Sequence, residues 1–456
     1  MKKLNSHFKI IFLISAFLIS SKNIYSQWTI AGNLPGVEGP RPQVSVVDGN
    51  IAFVAGGSTG SDINSTYKTT NGGTNWIQLN TGTFRPFVSI WAKDANTIFA
   101  GEFGINQIAK LYKTTNNGIN WIIIDSTFAT IPNITGIKFS KSIPSFGIAI
   151  GGAPNSDFYT YKTRDGGNTW TRTLVTGFSG INSGIGSLNV IDSLFYAVGS
   201  ISISPSIIIT TDGGVTWNLR DLNLPSIGSN FTNGIAFKED KLTGIATSTL
   251  PIIARTTNGG LNWVNIDVGN NITSGFYVKM RWIEGTNTFY LNATESTNGG
   301  VLKSTDGGLN WTQMSTSGLA VSNIDTKRIG SNVFGYANSS LGGLVGGNQV
   351  LKVTDMIVGI NQVSELVPDG YSLSQNYPNP FNPVTNLEFG ISKLGFVSLK
   401  IYDMLGKEVA ILVNANLNPG TYKYHFDASG LTSGFYFYKL AVDGNIIDTK
   451  RMVLLK

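Results

Sequence analysis

The chain has 456 residues, of which only 13% are charged, and it contains 54 glycines and no cysteine. This length exceeds what one small core needs and predicts two or more domains. Without cysteine, disulfides, thiolate catalysis and thiolate metal sites are excluded. The two histidines are His7 and His425, so Ser–His–Asp catalysis and histidine zinc sites are excluded from the long central region.

Residues 1–26 have the pattern of a signal peptide. Lys2, Lys3 and Lys9 form a positive region before an apolar run from Ile10 to Ser20, and a polar stretch then ends at Ser26. The run is too short to cross a bilayer, so we expect cleavage after Ser26 rather than anchoring. No later segment predicts a transmembrane helix. These residues contain four lysines and no acid, so the net charge of +6 falls to +2 without them.

A short motif of Ser/Thr, Asp/Asn, Gly and Trp then occurs six times. Its tryptophans are separated by 45, 49, 47, 46 and 48 residues. A fixed period of this length is typical of repeat folds in which each repeat is one supersecondary unit. The pairs of acid or amide and tryptophan are Asn71 and Trp76, Asn116 and Trp121, Asp165 and Trp170, Asp212 and Trp217, Asn258 and Trp263, and Asp306 and Trp311.

Each repeat divides into four predicted strands. In the second repeat these are 87–93, 97–101, 109–115 and 121–125, with a Gly/Asn-rich hairpin turn between the last two. A seventh unit without the motif has candidate strands at 321–329, 333–337 and 349–354 but lacks a fourth strand. Residues 27–30 resemble that missing strand. The fold class is therefore all-β, a seven-bladed β-propeller over 27–356 that the N-terminal strand closes; six blades is the alternative.

The motif resembles the Asp-box (BNR) repeat of sialidase-like propellers and of photosystem II assembly factors. In an Asp box the Asp/Asn side chain accepts turn N–H groups, the Gly adopts an unusual backbone conformation and the Trp packs between strands. The resemblance implies that these twelve Asp-box residues are structural. It also implies a ligand face on the opposite end, built from the loops between strands 2 and 3 and between successive blades.

Those loops are mostly small and polar, and their few charged residues are our ligand-face candidates: Arg41, Arg85, Glu102, Asp157 and Glu295. A sialidase would need three converging arginines, and other glycosidases need two nearby carboxylates; no spacing in the sequence indicates either. We predict no catalytic residue, no metal and no cofactor. Lys68, Lys113, Lys162 and Lys303 recur at one repeat position and would be dispersed around a ring, so nucleic acid is not an expected partner.

Residues 371–456 lose the period and predict a small Ig-like β-sandwich after a linker at 357–370. Its Tyr377-Pro-Asn-Pro-Phe381-Asn-Pro383 opening, Val397–Asp403 and Gly434–Lys439 resemble the type A C-terminal sorting domain of the type IX secretion system. The resemblance implies passage through the periplasm, contact with that secretion machinery, and a secreted or cell-surface product.

The sequence therefore predicts an exported propeller that recognises an unidentified glycan or protein without catalysis. A sialidase-like or xyloglucanase-like glycoside hydrolase is the first alternative. A structural envelope component without a small ligand is the second.

Overall fold

A computed structural model of the protein describes the chain from residue 27 onward; the predicted signal peptide lies outside the described residues. Within 27–456 it omits 35–38, 41–42, 57–64, 83–84, 103–108, 126–132, 153–156, 179–186, 200, 203, 226–229, 249–251, 269–276, 294–299, 330–331, 343–344, 357–359, 365, 418 and 429–430. The described residues form strands and turns without a helix. This confirms the predicted all-β class.

Before residue 357 the described residues form seven four-stranded antiparallel sheets, here numbered 1 to 7. Sheet 1 contains Gln43–Val46, Ala52–Gly56, Ser65–Thr69 and Ile77–Gln78. Sheet 2 contains Phe87–Ala92, Ile98–Glu102, Leu111–Thr114 and Ile122–Asp125. Sheet 3 contains Ile134–Phe139, Gly147–Gly152, Phe158–Thr163 and Thr171–Val175. Sheet 4 contains Leu188–Val190, Tyr196–Gly199, Ser206–Thr210 and Asn218–Asp221. Sheet 5 contains Gly234–Phe237, Gly244–Thr247, Ile253–Thr256 and Val264–Ile266. Sheet 6 contains Tyr277–Trp282, Phe289–Ala293, Val301–Ser304 and Thr312–Met314. Sheet 7 is Val321–Ile329, Asn332–Gly342, Val345–Met356 and Thr29–Asn33.

The first strand of each sheet, here called the inner strand, contacts the inner strands of both neighbouring sheets. The contacts run from sheet 1 through sheet 7 and return from sheet 7 to sheet 1. The seven sheets therefore form a closed ring around a central channel. Three further two-residue strands lie beside it: Gly39–Pro40 pairs with residues 345–346 of the third strand of sheet 7, and Ile201–Ser202 pairs with Asn230–Phe231.

The N-terminal strand completes sheet 7, as the sequence predicts. Thr29 pairs with Lys352 and Asn33 with Gln349. Trp28, immediately before the strand, is fully buried, and its backbone N–H donates to the Ser315 carbonyl at 2.9 Å. A strand from the start of the chain thus hydrogen-bonds to a strand more than 300 residues later, which removes an open sheet edge.

The Asp-box turns have the predicted hydrogen bonds. In sheet 3 the Thr163 hydroxyl donates to Asp165 Oδ1 at 2.8 Å, and that carboxylate accepts the N–H groups of Asn168 and Thr169 at 2.9 and 3.0 Å. Gly167 has φ +86°, a region that side chains disfavour. The N–H of Gly166 donates to the Ser145 carbonyl, so the box turn lies beside the turn between strands 1 and 2. We call this end of the ring the box face.

In sheets 2, 3, 5 and 6 a basic residue of the third strand links its sheet to the next one. Lys113 Nζ donates to Asn168 Oδ1 at 2.7 Å, Lys162 Nζ to the Gly213 carbonyl at 2.5 Å, and Arg255 Nε to the Gly307 carbonyl at 2.7 Å. Lys303 instead pairs with the Asp355 carboxylate at 2.6 Å, which occupies the box position in sheet 7. These cations therefore serve packing between sheets.

The C-terminal region consists of two further four-stranded sheets. One contains Ile360–Ser364, Gly420–Asp427, Val384–Ile391 and Ser372–Leu373; the other contains Glu408–Leu417, Gly395–Tyr402, Gly434–Val442 and Asn445–Leu454. One buried cluster that includes Leu399, Tyr438 and Phe426 joins them. Phe381 of the Pro-rich opening is buried in the same cluster.

Residues 360–364 of the predicted linker 357–370 form a strand in the structure. Ile360 pairs with Tyr424 and Gln362 with Tyr422, so Ile360–Ser364 form an edge strand of the C-terminal region. The physical reason is that this segment hydrogen-bonds the edge of Gly420–Asp427, which is otherwise open. Its residues have no strong strand pattern, because an edge strand needs backbone pairing more than apolar alternation.

Replacing Trp28 tests the ring closure. Trp28→Ala removes a large, fully buried side chain and should cost about 3–5 kcal/mol of unfolding free energy, measured by urea denaturation followed by tryptophan fluorescence. The matched control is Ile30→Ala in the same strand, because Ile30 is 49% exposed and its loss should cost below about 0.5 kcal/mol. Equal losses in the two variants would contradict closure by this strand.

Candidate functional site

A cavity lies at the box-face end of the channel. Its volume is about 630 Å³, and residues of all seven inner strands, or of the turns directly after them, line it. We call it the channel cavity. One position of the inner strand recurs in every sheet at the cavity wall, and we call this set the channel ring: Ser45, Trp91, Lys138, Asn189, Ala236, Arg281 and Asp325.

Three members of the channel ring connect adjacent sheets through an oxygen acceptor. Ser45 Oγ accepts the N–H of Ala92 at 2.8 Å, and Asn189 Oδ1 accepts that of Phe237 at 3.2 Å. Asp325 Oδ2 accepts the N–H of Val46 at 2.9 Å. Each acceptor thus satisfies a backbone donor one position further along the next inner strand.

Asp325 also joins sheet 7 to sheet 6. Arg281 Nε donates to Asp325 Oδ1 at 2.6 Å, and Asp325 is only 8% exposed. Burial alone would raise the pKa of this carboxyl, but Arg281, Lys138 and the Val46 N–H outweigh it, and the pKa is lowered. Asp325 therefore remains ionised at neutral pH and holds sheets 6, 7 and 1 together.

Lys138 is the channel-ring cation without an ion pair among the described residues. Burial and the cations of Arg281, Lys141 and Lys327 lower the pKa of Lys138 to about 7, while Asp325 opposes the shift. An ordinary lysine has a pKa near 10.4. The neutral amine is consequently favoured far more at Lys138 than at an ordinary lysine.

The remaining charged groups of the cavity are mostly paired. Lys141 pairs with Glu284, and Lys241 pairs with Asp192. Burial raises the pKa of Asp192, but its hydrogen bonds to Lys241 and to backbone N–H groups lower it overall. Asp192 therefore stays ionised at neutral pH, as does Asp325. A general acid must instead keep its proton near neutral pH, which requires a raised pKa.

The sequence-predicted ligand face is only partly described. Arg41 and Glu295 lie outside the described residues, as do most residues of the predicted ligand-face loops. Arg85 lies 4.0 Å from Glu102, which is 2% exposed, and Tyr112 donates to Glu102 at 3.4 Å. No described hydrogen bond or ion pair connects Asp157 to either residue. The predicted role of these five residues remains a prediction.

Sequence reasoning missed Lys138, Lys141, Asp325 and Lys327. A signal was present, because Lys138 and Asp325 are charged residues within inner strands that are otherwise mostly apolar or small. Aligning the inner strands by repeat would have shown that one position changes from serine to tryptophan, lysine, arginine and aspartate. Within the described part of the chain, no group of three or more His, Asp or Glu residues could hold a metal ion.

The Arg281–Asp325 pair is testable by substitution. Asp325→Asn keeps an acceptor for Val46 but leaves Arg281 without its anion, so we expect a loss of about 3 kcal/mol. Glu284→Gln, which breaks the more exposed pair with Lys141, should cost less than about 1 kcal/mol. Because the native pKa of Asp325 is lowered, its contribution is present at neutral pH and is lost as the pH falls below about 4. The difference between wild type and Asp325→Asn in urea denaturation should therefore narrow in acid; an unchanged difference would contradict the assignment.

The lowered pKa of Lys138 predicts that its effect on stability changes with pH in the opposite sense to that of Asp325. The folded state disfavours the ammonium form of Lys138. This form therefore lowers the free energy of unfolding by its full amount below pH 7, and the loss disappears as the pH rises toward the unfolded pKa near 10.4. Lys138→Met should therefore have a higher Tm than wild type at pH 6, and the two values should converge by pH 10. Exposed Lys93→Met is the control and should not show this trend.

Comparisons with known proteins agree with this architecture. Residues 375–454 match the family model described as a secretion system C-terminal sorting domain. No curated protein sequence matches the chain. The described residues include no helix with the length and apolar character that a membrane span requires.

Several solved structures share the fold. "YCF48 bound to D1 peptide" has a TM-score of 0.51 and 18% identity, covering 73% of this chain and 98% of that one. "Crystal structure of AFV00434, an ancestral GH74 enzyme" has a TM-score of 0.54 and 13% identity, covering 94% of this chain and 63% of that one. These identities show the fold alone. Together with the Asp-box turns they support a BNR-like β-propeller, followed by a C-terminal sorting domain that directs type IX export to the cell surface or the medium.

Proposed function

We propose that the protein is an exported binding module that recognises a glycan or protein at the cell surface or outside the cell without catalysis. The observation that supports this most is the state of two of the four acids in the channel cavity. Asp325 bonds to Arg281 and Val46, and Asp192 pairs with Lys241. Carboxylates held in the ionised form by such partners can orient a ligand but cannot donate a proton near neutral pH.

Two further features agree with binding. The cavity is open at the box face, and its volume lies in the range of small-ligand and side-chain pockets. The YCF48 structure named above is described as bound to a peptide, so one propeller of this shape accommodates a polypeptide. A likeness in fold does not transfer that ligand, and our proposal leaves its identity to experiment.

The test compares binding with hydrolysis on one preparation of the exported chain. Labelled protein should give saturable signals on a glycan or peptide array, and it should release no reducing ends from xyloglucan or sialylated glycans. Release of reducing ends that disappears in Glu239→Gln or Glu102→Gln would contradict the proposal and favour a glycoside hydrolase. Blank arrays together with envelope defects on deletion would favour a structural component.

A further inference from the structure

We infer that the channel cavity is a site for a carboxylate of an acidic polypeptide segment, with the carboxylate beside Lys138 and the chain lying across the box face. This inference rests on the proposed binding function and names the chemistry of its ligand. It uses two independent features, a local excess of cations inside the cavity and an apolar rim outside it.

The cation excess is concentrated around Lys138. Three cations, Arg281, Lys141 and Lys327, interact electrostatically with its amine, against the one carboxylate of Asp325. Arg281 and Lys141 already have carboxylate partners, Asp325 and Glu284. Over the whole cavity the balance is closer, with five cations and four anions: Lys138, Lys141, Lys241, Arg281 and Lys327, against Asp192, Glu239, Glu284 and Asp325.

An anion would correct this imbalance. Burial and the repulsion from the neighbouring cations both favour the neutral amine in the free protein, which explains the lowered pKa of Lys138. A bound carboxylate would restore the ammonium form and gain a charge-assisted hydrogen bond in a partly enclosed site. The one anion of the channel ring, Asp325, has its oxygens occupied by Arg281 Nε and the Val46 N–H. The counter-charge for Lys138 is therefore best supplied by a ligand.

An apolar rim adjoins the cavity on sheets 4 and 5. Its members are the exposed aliphatic side chains Leu194, Val215, Leu242 and Leu261, which are 51, 82, 53 and 64% exposed. Leu194 and Leu242 lie in the same turns as the cavity residues Asp192 and Lys241. The box turns that contain Val215 and Leu261 donate backbone hydrogen bonds to the Leu194 and Leu242 carbonyls at 2.9 Å.

The rim favours a polypeptide over a sugar. Aliphatic side chains beside a charged cavity match an interface with apolar side chains flanking one polar anchor. Sugar sites place aromatic faces against the ring, whereas here Phe139 stacks on Trp91 at 4.4 Å and covers one of its faces. The Trp282 indole N–H is likewise occupied, by the Thr286 carbonyl.

The experiment uses the full exported chain and two acetylated hexapeptides, one of alternating leucine and glutamate and one of alternating leucine and glutamine. Fluorescence anisotropy at low salt should show that the glutamate peptide binds at least about tenfold more tightly, since a charge-assisted hydrogen bond adds on that order. Lys138→Met should remove about that factor for the glutamate peptide and leave the glutamine peptide unchanged. Lys93→Met is the matched control and should bind both peptides as wild type does.

A chemical readout tests contact at the amine itself. Brief acetylation at pH 7, followed by peptide mass spectrometry, should modify Lys138 faster than the exposed Lys93 in the free protein. The glutamate peptide should protect Lys138 at least about fivefold, because it both covers the amine and restores the proton. Leu194→Ser combined with Val215→Ser should lower the affinity for both peptides by the same factor, since the rim contact does not depend on charge.

Three results would overturn the inference. The peptides could bind equally, Lys138→Met could leave the preference for glutamate intact, or glucuronate could protect Lys138 while the glutamate peptide does not. If arrays still show ligands whose binding is independent of Lys138, the proposed binding function stands and only this assignment fails.

Discussion

Closure of the ring is the constraint on which the channel cavity depends. The cavity exists because seven inner strands meet around one axis, and they meet only if sheet 7 is complete. Thr29–Asn33 supply its fourth strand by pairing with Gln349–Lys352. At the axis Asp325 also connects sheet 7 to its neighbours, since it accepts the N–H of Val46 in sheet 1 and pairs with Arg281 in sheet 6. One closure acts on the outer edge and the other on the channel wall, so the shape of the cavity and the stability of the ring are coupled.

Much of the fold could be predicted from the sequence because its signals are local. The box motif determines a turn, the turn determines a hairpin, and the period repeats it, so the strands of the second repeat were predicted within two residues of their observed bounds. The strand Ile360–Ser364 was not predicted, because its partner Gly420–Asp427 lies some 60 residues away. The channel cavity was missed for the same reason. Lys138 and Arg281 become neighbours only when sheets 3 and 6 face each other across the axis.

The two kinds of charge on the box face differ in origin. The Asp-box turn needs an oxygen acceptor and not a charge, since Asn116 and Asp165 accept the same turn donors. The box carboxylates are nevertheless held ionised; hydrogen bonds from Thr216 and Thr210 lower the pKa of Asp212 to about 2. An acidic ligand is therefore repelled by some outer turns and attracted by the cations at the axis. Such a distribution guides an anion toward the channel.

Function in this ring is expected where the repeat is broken. Positions that six of the sheets share, such as the box Gly167, satisfy requirements of the turn and of packing between sheets, and the same residue type recurs because the same geometry recurs. The channel ring has equivalent backbone geometry in each sheet, yet Ser45, Lys138 and Asp325 have different chemistry. Backbone geometry cannot require three different side chains at one equivalent position. Ser45 and Asp325 are explained by acceptors for the next sheet, whereas Lys138 satisfies no such donor, and its charge is costly in the free protein. A residue that costs stability and forms no hydrogen bond or ion pair with a neighbouring sheet, among the described residues, is best explained by what enters the channel.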